Sequence, residues 1–115
     1  MKDLEWLADS RSNVRSFPAA VQDDIGYALY LAQLGKRGAN AKPMQGFGGG
    51  VMEVAAYDSS GTYRAVYTVS IGDSIYVVHA FQKKSRSGIA TPKSEIELIR
   101  RRVKQLRSEV KNVEE

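Results

Sequence analysis

The feature that most constrains this chain is a β-rich run from Val51 to Gln82, broken only at Asp58-Ser59-Ser60-Gly61 and at Gly72-Asp73. The breaks leave three segments, Val51 to Tyr57, Thr62 to Ile71 and Ser74 to Gln82. Segments of this length, rich in Val, Tyr and Thr and bounded by turn residues, predict an antiparallel meander. Gly72-Asp73, with Gly in the first central position, predicts a two-residue hairpin turn.

That turn fixes a register. With Ile71 opposite Ser74, Thr68 faces Val77, Val66 faces His79, Arg64 faces Phe81 and Thr62 faces Lys83. Side chains alternate along a strand, so Arg64, Val66, Thr68, Val77, His79, Phe81 and Lys83 share one side of the sheet. Ala65, Tyr67, Val69, Tyr76, Val78 and Ala80 form the other, which is the cleaner apolar surface and is expected to take the helices. A four-residue loop at 58–61 pairs Tyr57 with Thr62, Ala55 with Arg64 and Glu53 with Val66. Glu53 then lies in the row of His79, roughly 10 Å away across two strand spacings, and diagonal to Arg64. The sequence thus predicts a partly open sheet face carrying Glu53, Arg64, His79 and Lys83.

The flanks read as follows. Leu4 to Ala8 suits a short strand and Asp9 to Ser16 a polar connection. Ser16-Phe17-Pro18 predicts a helix start, with Ser as the cap and Pro in the first turn. Val21, Ile25, Leu29 and Ala32 follow at helical spacing, and Gly35 is placed to end the helix. Lys36 to Gln45 is read as a linker with room for one helical turn. Gly46-Phe47-Gly48-Gly49-Gly50 lacks the Gly-Lys-Ser/Thr and following helix of a phosphate loop, so a flexible turn is expected. Thr91-Pro92 predicts a second helix, Thr as cap, whose Ile96, Ile99, Val103, Leu106, Val110 and Val113 recur by three and four. Such a stripe suits the core face of a terminal helix, or an interface with a second copy of the chain. The expected fold is α+β in a single domain over 1–115: a small antiparallel sheet with an N-terminal helical segment packed on it and a C-terminal helix.

Composition removes whole function classes. The 115 residues include no cysteine and one histidine, His79. Disulfides, thiolate metal sites, cysteine nucleophiles and His-His metal pairs are therefore excluded, and no metal or cofactor is expected. No segment approaches the ~20 apolar residues of a membrane span. The N-terminus carries acids where a signal peptide is basic and then apolar, so a cytoplasmic protein is expected. Charge is uneven. Lys83 to Arg107 holds nine basic residues against Glu95 and Glu97, whereas the remainder has eight against eleven acids. A basic C-terminal third fits a polyanion or an acidic partner, or a solvated helix face.

The predicted face has the residue types for metal-free RNA cleavage. That reaction moves a proton off the ribose 2′-OH and stabilises charge on a five-coordinate phosphorus. Arg and Lys supply charge, and His or Glu moves protons. On the structural alternative, Glu53 merely pairs with Arg64 and His79 fills a strand position.

From about Trp6 to Leu106 the chain resembles the phage-derived, HigB-like branch of the RelE/ParE toxin superfamily. The resemblance is carried by Arg15-Ser16-Phe17-Pro18, Gly26-Tyr27-Ala28-Leu29, Lys42-Pro43-Met44, Gly50-Val51 with Glu53, and Tyr63-Arg64-Ala65-Val66-Tyr67. Its most specific stretches are Tyr76-Val77-Val78-His79-Ala80-Phe81-Gln82-Lys83-Lys84 and Thr91-Pro92-Lys93-Ser94-Glu95-Ile96-Glu97-Leu98. It implies a RelE-like toxin of a type II toxin–antitoxin pair that cleaves mRNA on the ribosome, neutralised by a helix-turn-helix antitoxin. Arg64 would be the phosphate-stabilising arginine, with Lys83, His79 and Glu53 completing the catalytic set. Lys84, Arg86, Lys93 and Arg101 would bind RNA. The superfamily also contains non-enzymatic members that act by protein binding, gyrase-directed ones among them. Ser85 to Ala90 is longer than the usual link, and Ile99 and Val103 replace small and aromatic residues of the pattern.

Overall fold

The computed structural model describes residues 1–83 and 91–114. In chain order they form β1 (Leu4–Trp6), α1 (Ser10–Arg15), α2 (Ala19–Gln33), β2 (Ala41–Pro43), β3 (Val51–Asp58), β4 (Gly61–Thr68), β5 (Ile75–Lys83) and α3 (Lys93–Glu114). One five-stranded sheet has the order β1-β5-β4-β3-β2. The α+β class and the central meander are as expected, but the sheet is mixed, because β1 pairs parallel to β5.

Helices cover both faces. Val21, Ile25, Ala28 and Leu29 of α2 pack with Val14 of α1 on Val54, Ala65, Tyr67, Val77 and Ala80. On the opposite side Ile99, Val103 and Leu106 of α3 pack on Val51, Val66, Val78 and Phe81, with Phe47 and Ile71 from loops. The cleaner apolar face takes α1 and α2 as expected, whereas α3 closes the face predicted to be partly open. The stripe from Ile96 to Val110 is therefore a core face; the side chain of Val113 lies outside the described residues.

Four local expectations are corrected. Asp9 to Ser16 is not a plain connection but contains α1. β1 pairs β5 only over Ile75–Val77, and α1 then serves carbonyls along this strand. Ser10 Oγ donates to Val77 O (3.1 Å) and Asn13 Nδ2 to Ala80 O (2.9 Å), answering acceptors that would otherwise be buried without partners. Ser16 closes α1, and Pro18 is the cap residue of α2, its carbonyl accepting from Gln22 N at 2.9 Å. The 36–45 linker contains β2, an edge strand of three residues paired with Met52 to Val54. Gly72-Asp73 is not a two-residue hairpin, since β4 stops at Thr68 and β5 starts at Ile75.

The register holds where the site lies and slips beyond it. Thr62↔Lys83, Arg64↔Phe81 and Val66↔His79 pair as expected, as do Tyr57↔Thr62, Ala55↔Arg64 and Glu53↔Val66. The next pair is Tyr67↔Val77, so Val78 is an extra residue on β5. This bulge brings Val78 to the α3 side beside His79 and turns Val77 to the α2 side.

Gly46-Phe47-Gly48-Gly49-Gly50 is a turn, as expected, and it is tied to α3. Arg100 donates to Gly46 O at 2.8 Å and lies 4.7 Å from the Phe47 ring centre, while Arg107 donates to Gly49 O at 3.2 Å. Gly50 has φ +73°, and a Cβ there would lie 1.8 Å from Ser70 Oγ. Gly50→Ala is expected to cost about 1–3 kcal/mol through strain and collision. Ser70→Gly should restore part of the loss in urea denaturation, because it removes the clash but not the strained φ.

Candidate active site

Glu53, Arg64, His79 and Lys83 lie on the α3 side of the sheet, on β3, β4 and β5. Their placement follows from period-two alternation in three strands whose register is conserved across this end of the sheet. All four are buried, with 4–9% of each residue exposed. The polar set is thus assembled as predicted but roofed by the start of α3.

Arg64 Nη1 donates to Glu53 Oε1. The other carboxylate oxygen, Oε2, accepts from Thr91 Oγ1 at 3.1 Å. Thr91 is not the helix cap that its position before Pro92 suggests: Pro92 O accepts the first helical bonds, from Glu95 N and Ile96 N, both at 3.1 Å. The hydroxyl is thereby free to tie α3 to Glu53. Thr91→Val keeps the shape and strands that oxygen, so a loss of about 1–3 kcal/mol is expected in denaturant unfolding. A change within experimental error would remove Thr91 from the cluster.

His79 uses both ring nitrogens. Nε2 bonds Glu95 Oε2, and Arg102 Nη1 lies 3.2 Å from Nδ1. Guanidinium can only donate, so Nδ1 is the acceptor and the ring proton sits on Nε2, facing Glu95. Arg102 also donates to Val78 O, the carbonyl of the bulge, at 3.0 Å, and to Asp9 Oδ1 at 3.0 Å. Partial burial pushes the Asp9 carboxyl up, but the hydrogen bond and charge of Arg102 outweigh it and hold it below the usual range. Phe81 stacks on the imidazole, with ring centres 5.3 Å apart.

Lys83 differs from these. Among the described residues it has no hydrogen-bond or ion-pair partner. Desolvation first, and then the Arg64 charge, hold its ammonium pKa below the ordinary value near 10.5, with Lys42 adding to this and Glu53 opposing it. Lys42 sits opposite Glu53 on β2. Arg64, Lys83 and Lys42 therefore make a cationic neighbourhood in which Glu53 is the carboxylate bound to Arg64.

A family profile described as phage-derived protein Gp49-like (DUF891) matches residues 12–104. The chain belongs to the Gp49-like family. No curated protein gives a significant match. In this Gp49-like chain the matched span begins in α1 and ends within α3, so it includes every residue of the polar cluster except the exposed Asp9.

The residues assigned to RNA binding divide. Lys93 and Arg101 are exposed on α3; Lys84 and Arg86 lie outside the described residues. Of the remaining arginines, Arg100 and Arg107 anchor the glycine-rich turn and Arg102 points into the site, so part of the basic run serves packing. Thr91, Glu95, Arg102 and Asp9 belong to the cluster although sequence reasoning gave none of them a role there. The one available signal was Glu95, an acid in the first turn of a helix otherwise rich in cations. Among the described residues no group of His, Asp and Glu is arranged to hold a metal, and no helix is long and apolar enough to cross a membrane.

Proposed function

We propose that this Gp49-like chain is the toxin of a type II toxin–antitoxin pair and cleaves mRNA on the ribosome without a metal. The single observation that carries the chemistry is the placement of Lys83, buried and without a hydrogen-bond partner among the described residues, diagonal to Arg64 on one sheet face. The family match and the RelE/ParE resemblance support the biological setting. A neutral Lys83 Nζ takes the 2′-OH proton as the 2′ oxygen bonds to phosphorus. Arg64, aligned by Glu53, stabilises the added negative charge, and the bond from phosphorus to the 5′ oxygen breaks as that oxygen takes a proton from water. The products are a 2′,3′-cyclic phosphate and a 5′-OH end. In this reading His79 holds α3 through Glu95 and Arg102, and Lys93 and Arg101 engage the RNA backbone, with Lys84 and Arg86. Arg64 shows only 11% of its side chain, so phosphate reaches it when the helix start, tied to Glu53 through Thr91 and to His79 through Glu95, parts from the sheet.

That burial favours a second reading, a non-enzymatic relative of the same fold that acts by binding a protein. The two are separated by inducing the wild type and Lys83→Met and mapping new mRNA ends. New ends with the wild type that disappear in the variant support cleavage. Growth arrest without new ends supports a protein target, and no growth effect supports a remnant that only binds its antitoxin.

A further inference from the structure

On the opposite side of the sheet from the buried cluster, a pocket of about 400 Å³ opens between the C-terminal end of α2 and strands β3 and β4. This is within the range of small-molecule sites, about 300–1,000 Å³. Ala32, Met52 and Val69 give it an apolar wall, and Lys2, Lys36 and Arg37 supply three cations with no acid among the lining residues. Tyr67, 1% exposed, also lines it, and its hydroxyl has no hydrogen-bond partner among the described residues. Burial pushes the Tyr67 pKa up, against the nearby Arg37 charge, so the phenol is protonated and available as a donor. Lys2 is held at the rim, where its ammonium donates to Val69 O at 3.1 Å and its backbone N–H to Gln33 O at 3.0 Å. The last carbonyls of α2 are already answered by backbone N–H groups: Tyr30 O and Leu31 O by Leu34 N, Leu31 O also by Lys36 N, and Ala32 O by Gly35 N. The cations are thus not needed as hydrogen-bond partners for that helix end.

We propose that this pocket binds a phosphomonoester with a small apolar body. Three cations match a dianionic head better than a carboxylate, the Tyr67 hydroxyl supplies a directed donor, and the apolar wall receives the body. The site is independent of the RNA-cleavage reading, since none of its residues touches Glu53, Arg64, His79 or Lys83 through a hydrogen bond or ion pair.

The test is titration of the full chain with phenyl phosphate, followed by amide NMR, with inorganic phosphate and benzyl alcohol as head-only and body-only probes. Saturable binding is expected, with shifts concentrated at Ala32, Gly35 and Val69 and at least tenfold weaker binding of either partial probe. Arg37→Ala should weaken phenyl phosphate about tenfold and Tyr67→Phe about fivefold. Both variants should keep the fold, because Arg37 is exposed and the Tyr67 hydroxyl holds nothing in the structure. Lys93→Ala, on the other face, should bind as the wild type does. Absence of saturable binding overturns the proposal and leaves the cations as complements to the α2 dipole. Equal binding of benzyl alcohol, unchanged affinity in Arg37→Ala, or shifts centred on Lys93 and Arg101 overturn it as well.

Discussion

Glu53→Leu and Arg64→Met should each lower stability by about 3–5 kcal/mol, while the double variant costs less than either alone. The reason lies in burial. Glu53 and Arg64 are 4% and 9% exposed and meet in one ion pair. Removing one partner leaves the other charge out of water without compensation, whereas removing both lifts the desolvation cost of the pair. Arg64 has the weaker position of the two: its Nε is buried without a partner among the described residues, whereas Glu53 keeps Thr91. Urea denaturation should show midpoints displaced at nearly constant slope, the sign that stability and not compactness has changed. A single-variant cost below about 1 kcal/mol would show that water reaches the pair and that α3 does not seal this face. The same coupling makes Arg64→Ala a poor test of catalysis taken alone, since lost activity would be confounded with lost fold.

Lys83→Met should remove about 10²–10⁴-fold of the RNA cleavage rate without loss of stability. Proton transfer by a positioned side chain contributes an effect of that size. Methionine keeps the buried stem and discards the ammonium. Folding lowers the pKa of Lys83 below its ordinary 10.5, so between the folded and unfolded values the unfolded chain binds the proton and the folded chain does not. Stability contributed by this group therefore rises with pH across that window, and the penalty is fully present below the folded value. At neutral pH the variant loses that penalty and should melt at or above the wild-type temperature. Cleavage by the wild type should rise with pH toward the folded value, because only the neutral amine accepts a proton. A Lys83→Met protein that cuts at the wild-type rate, or a rate that falls as pH rises through the alkaline range, would remove Lys83 from the reaction.

How much of the site was legible depends on which contacts are local. The turn after β3 is tighter than the expected four-residue loop, Asp58 pairing with Gly61 across Ser59 and Ser60, but the register it sets is the expected one, so Glu53, Arg64 and Ala55 are placed correctly. His79, Phe81 and Lys83 were also paired correctly, although the hairpin turn from which that register was counted is not formed as a two-residue loop. The bulge at Val78 compensates for the longer connection, so the pairing recovers at His79. Nothing in Tyr76-Val77-Val78-His79 marks which residue is extra, since any of the four is compatible with either face.

The roof over the site was less accessible. The face bearing Arg64 and His79 also carries Val51, Val66 and Phe81, which offer α3 an apolar surface as usable as the other. Deciding between the faces needs Phe47 and Ile71, which enter from two loops, and the fit of Ile99, Val103 and Leu106 among them. Thr91 looked like a cap because its immediate neighbours suit one; only the approach of Glu53, thirty-eight residues earlier, redirects its hydroxyl. β1 and β2 are three-residue edge strands, stabilised by partners distant in sequence, and their own residues carry little signal.

The sequence by itself determined the α+β class, the strand periodicity, the helix stripes and the exclusion of thiol and His-pair metal chemistry, all consequences of residue type and local spacing. It also brought Glu53, Arg64, His79 and Lys83 to one side of the sheet. Only the tertiary structure decided that this side is closed, that Arg102 and Glu95 occupy both nitrogens of the single histidine, and that Lys83 is distinguished by a depressed pKa. Those outcomes depend on desolvation and on charges brought together from distant parts of the chain, and neither is a property of any local stretch.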